Sequence, residues 1–190
     1  ADYSTSNPLV VNSVADDMAL IAVFVINQYT LTYTAGVGGS IDGATSQTVD
    51  HGDNGTTVTA VEDTGYHFVQ WSDGVLAATR RDANVTTNIS VSVDFAINLY
   101  SVAFQTDGTP GATLDGATTQ TVAHGGDCTS VTAIAPAECL FHQWMEGGEY
   151  YSVSNPLTVT DVIRDMILMA EFTSDCSRSS SVKDWSLYDQ

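Results

Sequence analysis

The chain has 190 residues, of which 23 are acidic and 5 basic, for a formal net charge of -18. Nucleic acid is excluded as a partner, because phosphates are bound by clustered Lys and Arg, and anionic lipid surfaces are disfavoured for the same reason. No run of about 18 apolar residues exists, so no membrane insertion is expected, and the N-terminus lacks the basic start and apolar core of a signal peptide.

Residues 1–27 match the end of a unit found again later in the chain. Ser6-Asn7-Pro8-Leu9 recurs as Ser154-Asn155-Pro156-Leu157, and Asp17-Met18-Ala19-Leu20 corresponds to Asp165-Met166-Ile167-Leu168, a shift of 148 positions. The segment therefore reads as the C-terminal half of a repeat module. Within it Met18 to Ile26 is apolar on both faces, and such a strand needs cover on both sides. Met18, Leu20, Ile21, Val23 and Phe24 form a candidate assembly strand. Its missing neighbours lie either upstream in a longer chain or on another copy that adds across the exposed edge.

The first full module runs over 28–98. Tyr29, Leu31 and Tyr33 alternate with threonines, the period of a half-buried strand. Gly36, Gly38 and Gly39 then make a turn, and further strands are expected at Ser46–Val49, Val58–Val61, Tyr66–Trp71 and Ile89–Phe95, with 75–88 as an irregular connection. The second module, 99–174, follows the same plan. Thr48–Trp71 comes round as Thr121–Trp144 without a gap, a shift of 73 positions. Two residues are added before this stretch and four after Trp144, both in expected loops. A repeat of this size implies one small folding unit per copy, whose core contributes only about 3–5 kcal/mol, so contacts between modules matter. The remaining residues, 175–190, are Ser-rich and carry Trp185, Leu187 and Tyr188, either a loose end or a docking strand.

The copies share apolar residues, glycines and turn chemistry. They share no nucleophile, base and oxyanion donor, and no serine stands in a G-x-S-x-G elbow, so no catalytic residues are assigned and no enzyme is expected. Trp71 and Trp144 recur with Phe68, Phe141, Phe95 and Phe172 as structural core; the alternative for the tryptophans is an exposed sugar platform. His51 and His124 are equivalent and stand near Asp50 and Asp127, which raises a metal site against the simpler reading of solvated turns. Asp50–Gly55 has calcium-like carboxylates and glycines but lacks the later Glu of an EF-hand, so no cofactor is assigned, with calcium as a secondary option. Three cysteines, Cys128, Cys139 and Cys176, have no zinc, redox or haem spacing. Cys128 and Cys139 replace Gly55 and Tyr66 of the other copy. A Cys128–Cys139 disulfide is therefore expected, over pairings with Cys176 or three free thiols.

The runs YTLTYTAGVGGSIDGATSQTVDHG, VTAVEDTGYHFVQWSDG and NVTTNISVSVDFAIN resemble the divergent bacterial B-repeat family, relatives of the internalin and Listeria–Bacteroides repeats. The resemblance covers 28–174 as two modules and 1–27 as a partial third. It implies mainly β architecture in small β-grasp-like modules, with small β-sandwich modules as the alternative; with only about three residues between them, the modules are expected to stack as a semi-rigid rod. It also implies a secreted or surface-displayed, non-enzymatic repeat protein used as stalk, spacer or adhesive element. Expected partners are neighbouring repeats or further copies, head to tail, and a host or matrix ligand if the modules are adhesive. A glycan-binding stalk and the accessory repeats of a larger secreted enzyme are the competing functions.

Overall fold

A computed structural model of the chain describes residues 4–173, and every regular element among them is a strand. Over 28–97 these are β1 (Gln28–Ala35), β2 (Gly39–Asp42), β3 (Ser46–Asp50), β4 (Val58–Glu62), β5 (Tyr66–Trp71), β6 (Thr79–Arg80) and β7 (Ile89–Ile97). Over 99–172 they are β8 (Leu99–Thr106), β9 (Thr113–Asp115), β10 (Thr119–Ala123), β11 (Thr132–Ile134), β12 (Phe141–Glu146), β13 (Glu149–Ser152) and β14 (Met166–Phe172). Residues 4–27 form no strand. The Ser-rich tail and Cys176 lie outside the described residues.

Each module is two layers of sheet with the core between them. In the first, the main sheet has the order β3-β1-β7-β5 and the smaller one β2-β4-β6; in the second, the orders are β10-β8-β14-β12-β13 and β11-β9. The opening and closing strands lie side by side and parallel, β1 with β7 and β8 with β14, while the other pairings are antiparallel. The alternation in β1 sets this arrangement: Leu31 and Tyr33 turn inward and are buried, and the threonines between them face solvent. The closing strand, flanked on both sides, buries Val91 and Val93 in one copy and Met166, Leu168, Ala170 and Phe172 in the other.

The connection over 75–88 is irregular, as expected, except at a two-residue strand. Thr79 and Arg80 pair with β4, and Val85 enters the core. The glycine turn after β1 is not a loose one. Gly38 has φ +94°, and a Cβ there would fall 2.7 Å from Cε1 of Tyr66, so the chain leaves the main sheet only because this residue has no side chain. The four residues added after Trp144 also do more than lengthen a loop. Gly147 and Gly148, both at positive φ, close a two-residue hairpin between β12 and β13. This covers the edge of β12, whereas the matching strand β5 ends its sheet.

Trp71 and Trp144 are 0% exposed, and each indole N–H donates to a backbone carbonyl, of Ala77 at 3.0 Å and Ser154 at 3.1 Å. Phe68 meets Phe95 edge to face, as Phe141 meets Phe172, with Phe172 buried and the other three half-buried at the margin of the core. Gln47 and Gln120 form an equivalent clamp. The Gln47 amide accepts from Thr56 N–H at 2.6 Å and donates to the carbonyls of Ala44 and Thr56; Gln120 does the same with Thr129 and Ala117. Each clamp ties a turn to the strand beside it and satisfies backbone groups that no sheet reaches.

The cysteine pairing differs from expectation. Cys128 is a free, buried thiol, and Cys139 is disulfide-bonded, so the two are not joined to one another. The reason is topological. Cys128 precedes β11 and hydrogen-bonds to Val159, whereas Cys139 lies in the turn after β11, beside Leu140 and its bonds to Thr173. β11 lies between them in the chain, and each is anchored to a different segment. Burial, with the charge of Asp127 adding to it, pushes the Cys128 thiol pKa up.

Candidate assembly surfaces

Two parts of the molecule stand outside the two cores. The first is the N-terminal segment. Met18 and Leu20 are about half exposed, and Ile21, Val23, Phe24 and Val25 are 84–89% exposed. Met18, Leu20, Ala22 and Phe24 match Met166, Leu168, Ala170 and Phe172, the four inward residues of β14, identity for identity. Preceding polar residues match in position as well. In each full module a side chain just before the closing strand accepts a hydrogen bond from the opening strand: Asn88 from Thr30 N–H at 2.9 Å and Asp165 from Ser101 N–H at 2.8 Å. Asp17 holds that place in the N-terminal segment. Likewise Asn155 pairs through its amide with both backbone groups of Ala133 at 2.8 Å, and Asn7 is its counterpart.

The second part is the joint between the modules. Only Asn98 separates β7 from β8. Its N–H donates to the Gly65 carbonyl at 2.8 Å, its own carbonyl accepts from His124 N–H at 2.9 Å, and its side-chain oxygen accepts from His67 Nδ1 at 2.7 Å. The His124 ring packs over Gly65, so that a Cβ there would lie 2.5 Å from His124 Cγ. Gly65 also has φ +83°, in the left-handed region. Both facts require glycine at this turn. Tyr100 packs beside the imidazole, with ring centroids 5.9 Å apart.

His51 and His124 thus share a packing role beside a tyrosine. The neighbouring acidic loops are engaged in their own folding: Asn54 Oδ1 accepts from Asn84 N–H at 2.9 Å, and Asp127 Oδ1 from Asp161 N–H at 3.1 Å. Among the described residues no group of three or more His, Cys, Asp or Glu side chains is placed to hold a metal ion. The sugar-platform alternative fails at its tryptophans, since neither buried ring presents a face to solvent.

Sequence reasoning passed over the most unusual polar cluster. Arg80, buried in the first module, makes a two-pronged bond to Asp73 at 3.0 Å and bonds to Asp82 at 2.6 and 3.2 Å. Its guanidinium lies 5.0 Å from the Trp71 ring and 5.8 Å from that of Tyr33, whose hydroxyl donates to Asp82 at 2.6 Å. Burial opposes the charge on Arg80, and the bonds to Asp82 and Asp73 more than offset it, so its pKa is raised. Burial, together with the Asp82 bond, also raises the pKa of Tyr33. This is a satisfied structural cluster closed over by rings, with no nucleophile in it.

A molecule made of consecutive two-layer β units of one topology, joined by one residue, is a tandem repeat protein. Residues 29–99, the first complete unit, match the model of the Divergent InlB B-repeat domain, the family its residues resemble. No curated protein matches. Among solved structures, domains 3–4 of a streptococcal cell-surface protein with high-identity tandem repeats align at 14% identity. They cover 77% of this chain and 98% of that one, with a TM-score of 0.26, too loose a superposition to define the fold.

Proposed function

We propose that this chain is a non-enzymatic extracellular repeat segment that builds a semi-rigid surface rod, and that residues 4–27 are the closing segment of a module completed by strand addition. The observation that carries the reading is the match of Met18, Leu20, Ala22 and Phe24 to the buried face of β14, set against their own exposure. β14 lies between a parallel and an antiparallel partner. A segment of the same pattern is built for the middle of a sheet, and leaving it bare costs both apolar burial and backbone hydrogen bonds. The sheet order supports a β-grasp-like unit, with parallel opening and closing strands at the centre and a small sheet over one face. The one-residue linker and the joint at Gly65 support rod-like stacking. The excess of acidic side chains keeps such rods from associating at random.

Hydrogen exchange on material taken from the surface of the source cells tests this. Amides of Met18–Ile26 should be protected about as well as those of Met166–Phe172. Free exchange in the native assembly would overturn the closing-segment reading, and absence of the modules from the surface of intact cells would overturn the localisation.

A further inference from the structure

We infer that Asn27, Tyr29 and His51 form a docking surface for the glycine turn of a preceding repeat module, the one that residues 4–27 close. The inference rests on the reading of that segment given above. The internal joint supplies its geometry. Tyr29 and His51 have ring centroids 5.8 Å apart at 51°, against 5.9 Å and 51° for Tyr100 and His124. His51 N–H donates to the Asn27 carbonyl at 2.8 Å as His124 N–H does to that of Asn98 at 2.9 Å. The tyrosine hydroxyls stand 3.3 and 3.5 Å from Nδ1 of the respective imidazoles. The two sets differ in cover: Asn98 and His124 are half-buried against the first module, while Asn27 and His51 are exposed. Thus the head of the first module carries a complete copy of a contact surface that is occupied one repeat later.

The occupant is narrowly specified. It must bring a residue without a side chain to the imidazole face, as Gly65 does. The equivalent turn at the far end of the second module does not qualify, because Glu138 stands there, 73 positions after Gly65, with φ +69°. In this left-handed conformation its Cβ occupies the space that His124 fills over Gly65. A second copy of this chain is therefore barred from docking its second module onto His51 through this joint, and a repeat with glycine at the turn is admitted. The joint has a direction: open at His51, shut at Glu138.

The test extends the full chain at its N-terminus with another copy of residues 99–153 joined to Ser6, so that residues 6–27 close the added strands as Ser154 onward closes the second module. Two versions are made, both with Cys139→Tyr in the added copy and one also with Glu138→Gly there. Amide exchange at Met18–Phe24 reports closure, and diethyl pyrocarbonate modification of His51 and His124, mapped by mass spectrometry, reports the joint. Exchange at Met18–Phe24 should slow in both versions, whereas modification of His51 should fall to the rate of His124 in the glycine version alone. Closure with His51 equally reactive in both versions, or equally protected in both, would overturn the docking inference and leave the closing segment standing. Unprotected amides at Met18–Phe24 in both versions would overturn the closing-segment reading and the inference with it.

Discussion

Arg80 and Leu157 hold the same place in two otherwise matching cores: Arg80 pairs with Val58 and Leu157 with Val131, valines 73 positions apart. Their surroundings change together. Tyr33 becomes Phe104, and Asp82, whose carbonyl accepts from Gly55 N–H, becomes Val159, whose carbonyl accepts from Cys128 N–H. One fold is thus built once around a buried ion cluster and once around hydrocarbon.

The comparison predicts opposite outcomes for partial and complete replacement. Arg80→Ala strands Asp82 and the Tyr33 hydroxyl and should cost about 3–5 kcal/mol. The triple variant Tyr33→Phe, Arg80→Leu, Asp82→Val copies the second module and should be neutral or more stable by about 1–4 kcal/mol. Urea denaturation of both variants checks this, and a triple variant as unstable as Arg80→Ala would contradict it.

The same cluster predicts an acid limb. The Arg80 guanidinium holds the Asp73 carboxyl below its usual range, as Arg164 holds that of Glu146. A carboxylate with a depressed folded pKa stabilises the fold above the ordinary range and loses that contribution as pH falls through the folded value. Asp73→Asn should therefore weaken the protein near neutrality, and its deficit against the native chain should shrink below about pH 4. Unfolding curves at the two pH values measure the gap; a gap independent of pH would contradict the assignment.

The amide clamp gives a third expectation. Gln47→Ala leaves the Thr56 N–H and two carbonyls without their partner and should cost about 1–3 kcal/mol. Gln47→Glu keeps an acceptor for Thr56 but loses the donor to Ala44 and Thr56, so thermal unfolding should place it between Ala and the native residue.

Strand and core placement was legible because the pattern is periodic and repeated: Leu31 and Tyr33, Val91 and Val93, and both tryptophans declare their burial by alternation and recurrence. The clamp was equally available, since Gln47 recurs as Gln120, but a lone glutamine among threonines has no apolar signal to draw the eye. Arg80 was hidden by divergence, because the comparison that finds repeats discards the positions where copies differ. The joint was half visible. His51 and His124 stood out as equivalent, yet the role of His124 depends on Gly65, distant from it in sequence and brought to it only when Asn98 stacks one module on the next. The cysteine expectation failed because shared novelty in one module says nothing about which end of β11 each thiol occupies.

Cys128 should behave as an inert thiol. With its pKa raised by burial and by Asp127, it should react slowly with a disulfide reagent in the native protein and readily in urea. Peptide mapping without reduction should recover Cys128 alone and Cys139 in a disulfide; a Cys128–Cys139 linked peptide would contradict the structure.

Small-angle X-ray scattering of the native chain beside Gly65→Ala most directly tests the claim that the modules form a rod through a specific joint. The added methyl displaces the His124 ring and strains a left-handed turn, at a local cost on the order of 1 kcal/mol, while leaving both cores intact. The native chain should give one extended, well-defined pair distribution, and the variant a broadened one with a shifted intermodule distance. Identical distributions from two folded proteins would mean that Gly65 and His124 do not set the angle between modules.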